Sequence, residues 1–200
     1  MTAPARSPRL PASWEEVCGR VTPERLLVVA VDGRSGAGKT TCADRLRTDA
    51  AARLGCPAEA VGLVAVEDMY AGWDGLAAGP ALLERCVLAP LAGGAGVVSW
   101  PCWDWEAGAY RRTGRLERPS SGLLLVEGVG CSAPPARALV DHTFWLEAPE
   151  PARRAAVRRR EERAEGEPSD RWWPGWAAAE ERLLAQHPPV WDECLEGVLP

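Results

Sequence analysis

A single lysine within a glycine-rich segment is the group in this sequence most suited to chemistry. Lys39 is the only lysine among 200 residues, and arginines carry the other basic side-chain charges. It lies in the segment Gly33-Arg34-Ser35-Gly36-Ala37-Gly38-Lys39-Thr40, followed by Thr41, which fits the Walker A pattern G-x-x-x-x-G-K-[ST]. In that pattern backbone N–H groups surround phosphate, the ammonium reaches the β- and γ-phosphates, and the hydroxyl binds Mg²⁺. We therefore predict a nucleotide-binding loop over residues 33–41.

The residues on both sides of this loop support the prediction. An apolar run, residues 26–31, has the length of a strand buried on both faces, and the residues from Thr40 to about Leu54 are predicted to form a helix. The helix N-terminus adds partial positive charge where the anion would bind. The order strand, loop, helix is the context in which the motif binds phosphate.

Acidic residues end the predicted strands. Asp32 follows the first apolar run, Glu67-Asp68 follow residues 61–66, and Glu127 follows residues 123–126. Ligands of open α/β sheets bind beyond the carboxyl ends of the strands, so these acids should share one edge. Glu127 is therefore a candidate Mg²⁺ ligand together with Thr40.

The pair Glu67-Asp68 is the candidate for catalysis. A carboxylate at a strand end can accept the proton of an acceptor hydroxyl near a γ-phosphate. Successive residues of a strand point in opposite directions, so only one of the two should face the phosphate. Gly128, rather than a second acid, follows Glu127, which argues against an ATP hydrolase.

The other elements predict an α/β protein, with the P-loop NTPase fold of a parallel sheet flanked by helices on both faces. Helices are expected at 13–20, where Ser13-Trp14-Glu15-Glu16 fits a capping box, and at 80–91, 151–164 and 176–186. Further strands are expected at 96–100 and 143–146, with a break at 165–174. The length fits a single domain, residues 1–200, with residues 1–12 flexible.

Composition excludes several function classes. The net charge of −5 disfavours binding to nucleic acid or to an anionic membrane surface, and no apolar run has membrane-spanning length. Seven scattered cysteines, without a C-x-x-C pair, predict reduced thiols in a cytoplasmic protein and no cysteine metal site. Without a second lysine the chain has no Asn-Lys-x-Asp motif for guanine, which excludes that class of GTPase. The sequence is compatible with a monomer or an oligomer.

Four segments in order resemble the uridine kinase and phosphoribulokinase branch of P-loop kinases. They are the loop with its preceding Asp32, the segment Glu67-Asp68-Met69-Tyr70, the segment Pro101-Cys102-Trp103-Asp104-Trp105, and Leu125-Val126-Glu127-Gly128. In the family the second segment reads D-x-F-Y or D-D-F-Y and the third P-x-Y-D-[FW]. The resemblance covers roughly residues 26–163.

The resemblance implies roles for individual residues. The family's catalytic base falls on Glu67, and Asp68 is the alternative because glutamate is one methylene longer than the family's aspartate. The acceptor would contact residues of the second and third segments: Tyr70, Trp103, Asp104 and Trp105. Trp103 stands where the family has tyrosine, which leaves uridine itself open as the acceptor.

The arginine-rich helix after the fourth strand resembles the family's lid, placed at about residues 153–174. Its arginines are Arg153, Arg154, Arg158, Arg159, Arg160 and Arg163. Helical spacing puts Arg153 and Arg160 near one face, where a triphosphate could be clamped, and Arg160 is the candidate ligand. The alternative is an ordinary solvated helix, since Glu161 and Glu162 are adjacent.

Ten tryptophans accompany one phenylalanine and two tyrosines. Several lie near the predicted site, where they could stack on a planar acceptor or form a hydrophobic shell around a lid. The sequence favours an ATP- and Mg²⁺-dependent kinase for a hydroxyl of a small molecule, such as a nucleoside. A kinase for another alcohol (a sugar phosphate, a vitamin precursor or a natural product) and a non-catalytic ATP-binding regulatory protein are the alternatives.

Overall fold

A five-stranded parallel sheet forms the centre of the structure, a computed structural model that describes residues 10–164 and 169–197. Its strands lie in the order β2-β5-β1-β6-β7. They are β1 (Leu27–Gly33), β2 (Gly62–Ala65), β5 (Leu123–Glu127), β6 (His142–Glu147) and β7 (Glu193–Glu196). Strands β3 (Val97–Asp104) and β4 (Ala109–Glu117) form a separate antiparallel hairpin.

Helices cover both faces of the sheet. They are α1 (Trp14–Gly19), α2 (Lys39–Leu54), α3 (Gly79–Leu83), α4 (Ala89–Ala92), α5 (Glu150–Ala164) and α6 (Ser169–Gln186), and a π-helical segment, Glu84–Leu88, joins α3 to α4. Alternate residues of β1 pack in opposite layers, because successive strand side chains point to opposite faces: Val29 packs with Trp14 and Leu46, whereas Val28 packs with residues of α3 and α6. The predicted α/β fold is confirmed.

The strand register brings the site residues together. Val31 of β1 and Ala65 of β2 both pair with Glu127 of β5, so the three strands end at one level. A turn of 3-10 helix, Val66–Met69, follows β2 and carries Glu67 and Asp68. The predicted acids therefore lie at the same edge as the glycine-rich loop between β1 and α2.

Two features of the chain's ends differ from the sequence predictions. Ser13 precedes α1 but forms no side-chain cap: its hydroxyl donates to Glu193 Oε2 (2.6 Å) and contacts His142 Nε2 (3.2 Å). The Ser13 hydroxyl is held by the charged carboxylate of Glu193 and its oxygen accepts no helix N–H, so the capping-box prediction was wrong. Strand β7, which carries Glu193, was not predicted, because its short and half-exposed Glu-Cys-Leu-Glu sequence has no apolar run.

Helix α6 begins earlier than predicted. The described part of the expected 165–174 break is helical from Ser169, and the helix continues through Pro174, whose ring nitrogen cannot donate a backbone hydrogen bond. Three buried tryptophans next to it, Trp172, Trp173 and Trp176, supply packing that favours the helix. The strand predicted at 96–100 is also longer and forms a hairpin. In the described part of the chain no helix is long and apolar enough to span a membrane.

Candidate functional site

A cavity of about 340 Å³ lies at the carboxyl ends of β1, β2 and β5. Its wall includes many of the residues that the sequence singled out: Ser35, Gly36, Gly38, Lys39, Thr40, Thr41, Glu67, Tyr70, Trp105, Glu127 and Arg160. Five segments distant in the sequence supply them. The structure thus brings the predicted phosphate loop, one predicted base, the Mg²⁺ candidates and two lid arginines, Arg159 and Arg160, to a single site.

The glycine-rich loop is tightly packed against α5. Gly36 has a φ of +80°, and a Cβ at this position would lie 2.3 Å from the carbonyl oxygen of Arg153, so only glycine fits. The Lys39 side chain is largely buried and its Nζ donates to the carbonyl oxygen of Arg34 across 3.0 Å. The ammonium is therefore held beneath the loop, at the position from which it could reach a bound phosphate.

Three residues of the predicted loop do not line the cavity wall. Gly33 ends β1 and packs against Leu146, Ala37 is fully buried in the core, and the Arg34 guanidinium forms an ion pair with Glu181. Their positions indicate that they shape the loop.

Thr40 and Glu127 form the candidate metal site. The Thr40 hydroxyl donates to Glu127 Oε1 across 3.1 Å, and Glu127 is buried. Burial raises the pKa of Glu127, while the nearby Lys39 ammonium and the Thr40 hydrogen bond oppose that rise. One hydroxyl and one carboxylate fit Mg²⁺, which usually takes few protein ligands and completes its shell with phosphate oxygens and water. The described residues contain no group of three or more His, Cys, Asp or Glu that could hold a metal alone.

Glu67 and Asp68 occupy different surroundings. Glu67 is exposed and lines the cavity, together with Lys39 and Glu127. Asp68 is half-buried and does not line it. Burial raises the pKa of the Cys102 thiol of the hairpin, and the charge of Asp68 adds to that rise. The 3-10 turn thus directs the two adjacent carboxylates to different parts of the molecule.

Of the four residues expected to contact the acceptor, two line the cavity. Tyr70 is buried, and its hydroxyl donates to the carbonyl oxygen of Val129 across 2.7 Å, so it presents its ring rather than a free hydroxyl. Burial raises the pKa of this hydroxyl well above 10, which keeps it protonated. Trp105 lies in the turn beyond β3, and its indole forms part of the wall.

Trp103 and Asp104 lie away from the cavity wall. The Trp103 ring makes an edge contact with Tyr110 across the hairpin. Asp104 Oδ1 accepts hydrogen bonds from the N–H groups of Glu106 (3.1 Å) and Ala107 (2.9 Å), which close the hairpin turn and lower the pKa of this carboxyl. Strand β3 ends at Asp104, so Trp105 lies in the turn and does not continue the side-chain alternation of the strand.

Tryptophans from three segments build one side of the cavity. The Trp73 and Trp172 rings stack with centroids 4.4 Å apart, and Trp73 also contacts Trp105 (4.6 Å) and Trp176 (5.9 Å). Trp73 follows the 3-10 turn that carries Glu67, Trp105 lies in the turn of the hairpin, and the other two belong to α6. We call these four residues the tryptophan wall. The sequence shows these tryptophans, but their mutual contacts depend on the fold and could not be predicted from the sequence.

The arginines of α5 divide between two roles. Arg159 and Arg160 line the cavity with Ala156 and Val157. Arg153, which the helical spacing grouped with Arg160, is buried and does not line it. Its Nε donates to the carbonyl oxygen of Ala148 and its Nη1 to that of Ser35. The Arg163 side chain lies outside the described residues.

Asp32 is a structural residue. Its Oδ1 accepts from the N–H groups of Gly33 (2.7 Å) and Gly130 (2.8 Å), and its Oδ2 accepts from the N–H (2.9 Å) and hydroxyl (2.6 Å) of Ser132. The carboxylate thereby ties the end of β1 to the loop after β5. Sequence reasoning missed Ser132, and the chain carries no local signal for this pairing across 100 residues.

Comparison with solved structures identifies the fold. The structure is similar to that of a possible uridine kinase from Bacillus stearothermophilus, with a TM-score of 0.64, 18% identity, and coverage of 92% of this chain and 97% of that one. It is also similar to a protein provisionally assigned as a fructose transport system kinase from Silicibacter sp. TM1040, with a TM-score of 0.58, 18% identity, and coverage of 94% and 100%. No family model matches the chain, and no curated protein is significantly similar to it in sequence. The chain therefore has the fold of P-loop kinases.

Proposed function

We propose that this protein is an ATP- and Mg²⁺-dependent kinase that phosphorylates a hydroxyl of a small, nucleoside-like molecule. The convergence of Lys39, the Thr40–Glu127 pair and Glu67 in one cavity beside the tryptophan wall carries this proposal. The groups needed to hold a triphosphate and to accept a proton from an alcohol lie within one space.

Each group has a role in the transfer. The N–H groups of the loop and the Lys39 ammonium would bind the β- and γ-phosphates, and Thr40 and Glu127 would hold Mg²⁺, which would neutralise phosphate charge. Glu67 accepts the proton as the acceptor oxygen attacks the γ-phosphorus, while the bond to the β,γ-bridging oxygen breaks and ADP leaves. Glu67 fits this role better than Asp68, because only Glu67 lines the cavity.

The cavity lining favours an uncharged, planar acceptor. The segments that carry the tryptophan wall contribute no arginine or lysine to the described lining, whose cationic groups come from the loop and from α5. Indole faces stack well on flat rings but give no pairing for a phosphate group. This supports a nucleoside-like acceptor over a sugar phosphate.

Arg159 and Arg160 are positioned to act on the phosphates. Both lie on α5 and line the same cavity as Lys39. Guanidinium groups near a transferring phosphoryl stabilise its charge, and a helix that closes over the site excludes water and thereby limits ATP hydrolysis. We propose this role for the α5 arginines.

A kinase for another alcohol is the second candidate. The structure resembles proteins named for a nucleoside and for a sugar, and Trp103 departs from the tyrosine of the nucleoside-kinase pattern. A panel of nucleosides, sugars, sugar phosphates and other alcohols tests both candidates. We expect ADP release from Mg·ATP only when one of the uncharged planar alcohols is present. Binding of Mg·ATP without transfer to any alcohol would instead support a nucleotide-binding regulatory protein.

A further inference from the structure

Ser35, in the glycine-rich loop, is held by two helices that come much later in the chain. Its N–H donates to Glu180 Oε1 across 2.7 Å, its carbonyl oxygen accepts from Arg153 Nη1 across 3.0 Å, and its hydroxyl accepts from Trp176 Nε1 across 2.6 Å. Every polar group of this residue is thus in contact with α5 or α6. The loop is fixed from outside as well as by its own glycines.

Glu180 is the centre of this arrangement. Besides the Ser35 N–H, its Oε1 accepts from Trp176 Nε1 across 2.8 Å, and its Oε2 lies 3.7 Å from Arg153 Nη1. Glu180 is 0% exposed and Arg153 is 4% exposed. A buried carboxylate is costly unless it is paired and hydrogen-bonded. In Glu180 both hydrogen bonds go to Oε1, while Oε2 has the ion pair with Arg153 and, among the described residues, no hydrogen bond.

The residues on either side of Ser35 also contact α5 and α6. Glu181 forms an ion pair with Arg34, so two consecutive glutamates of α6 contact two consecutive residues of the loop. The backbone of Gly36 packs directly on Arg153. Residues 34–36 are therefore held in place by contacts with α5 and α6, whereas Lys39 and Thr40 belong to the first turn of α2.

Trp176 extends this arrangement into the cavity. Its ring belongs to the tryptophan wall, and its Nε1 points to both Ser35 and Glu180. One side chain therefore contacts Trp73 of the tryptophan wall with its ring and the nucleotide loop with its N–H group.

We propose that Glu180 is a positioning residue that sets the conformation of the nucleotide loop and links it to the tryptophan wall through Trp176. The loop then binds phosphate well only when α6 is docked against it. This inference rests on the proposed function, because it concerns how the same loop binds nucleotide.

The test measures MgADP binding by isothermal titration calorimetry and thermal unfolding without ligand. We expect Glu180→Ala to weaken MgADP binding about tenfold, because the Ser35 N–H loses its acceptor and the Trp176 N–H keeps only the Ser35 hydroxyl. Glu180→Gln keeps an acceptor oxygen and should stay within about threefold of the wild type. Arg182→Ala, an exposed change on the same helix, is the matched control and should leave binding unchanged.

Glu180→Asp keeps the charge but shortens the side chain, and it decides the question if Glu180→Ala does not fold. We expect it to weaken MgADP binding about fivefold. Wild-type affinity in Glu180→Ala or, when that variant does not fold, in Glu180→Asp would overturn the inference, as would an equal loss in Glu180→Gln and Glu180→Ala. Failure of the wild type to bind MgADP would overturn the proposed function as well, so the two failures are distinguishable.

The link to Trp176 has its own measurement. Trp176→Phe keeps an aromatic ring but removes the N–H donor, and we expect it to weaken MgADP binding about threefold in the wild type. In the Glu180→Asp background it should add almost nothing, because the two residues act through the same contact. Additive losses would contradict the link.

Discussion

The indole rings of Trp73 and Trp172 stack face to face, with an interplanar angle of 10°. Trp73 follows the turn that carries Glu67, and Trp172 lies on α6. The stack therefore connects the segment of the proposed base to the helix that also contacts the glycine-rich loop. More than a third of the Trp73 surface stays exposed, which leaves part of it available to a bound molecule.

Trp73→Ala should raise the KM for the acceptor about tenfold, because it removes ring contacts to three other members of the tryptophan wall. The KM for Mg·ATP should change less than about twofold, since the loop is unaltered. Steady-state kinetics with each substrate varied in turn makes the comparison. Trp191→Ala, at an exposed tryptophan that stacks on Trp145 outside the cavity, is the control. Equal effects on both substrates would contradict the acceptor assignment.

Lys39→Ala should lower kcat about a hundredfold or more, because the ammonium stabilises charge on the transferring phosphoryl group. Lys39→Arg should also be impaired, since the broad guanidinium does not fit beneath a closely wrapped loop. Phosphoryl transfer from Mg·ATP measures both, and far-UV circular dichroism checks that the fold is kept. Full activity in a folded Lys39→Ala variant would contradict the role of the loop.

Glu67→Gln and Asp68→Asn form a matched pair of adjacent charge removals. Loss of a general base usually lowers kcat by about a hundredfold to ten-thousandfold, and we expect this for Glu67→Gln. Asp68→Asn should keep kcat near the wild-type value, because Asp68 does not line the cavity. We measure kcat with saturating acceptor. A large loss in Asp68→Asn together with a near wild-type kcat in Glu67→Gln would assign the role of the base to Asp68.

Asp32→Asn should destabilise the fold by about 2 kcal/mol, because the new amide group cannot accept all the hydrogen bonds that the carboxylate now accepts. Urea unfolding measures the change in the free energy of unfolding. Asp44→Asn, at an exposed position of α2, is the control and should change stability little. No loss of stability in Asp32→Asn would argue against the structural role of Asp32.

His142 makes stability depend on pH. Burial lowers its pKa from 6.5, so the folded protein binds this proton less readily than the unfolded chain does. The neutral ring therefore stabilises the fold above pH 6.5, and this contribution is lost as the pH falls through the unfolded value toward the folded one. The free energy of unfolding should fall less in His142→Gln than in the wild type between about pH 7.5 and about pH 5.5. Urea unfolding at several pH values measures this difference, and an equal fall in the two proteins would contradict the role of His142.

The central strands could be predicted because their signals are local. The apolar runs that become β1, β2, β5 and β6 are buried on both faces, and such strands need no alternation to be recognised. The glycine-rich loop is likewise contained in eight consecutive residues. These segments also carry Lys39, Thr40 and Glu127, so the side of the cavity that we propose binds phosphate could be predicted from the sequence.

The acceptor side could not be predicted to the same extent, because tertiary contacts decide it. Asp104 reads as an acceptor ligand in the sequence, yet it closes the turn of a hairpin whose second strand is too polar to be recognised. Arg153 and Arg160 share a helical face, but the loop accepts a hydrogen bond from Arg153 and leaves Arg160 in the cavity. Glu180 resembles a solvated glutamate until α6 is placed against Ser35.

The contact between Ser35 and Glu180 spans 145 residues, which has a consequence for synthesis in the cell. A chain emerges from the ribosome N-terminus first, so the nucleotide loop is made long before its partner on α6. Nascent chains that have not yet released residue 180 lack the completed loop. If the loop binds nucleotide as we propose, nucleotide would stabilise only chains long enough to have released α6.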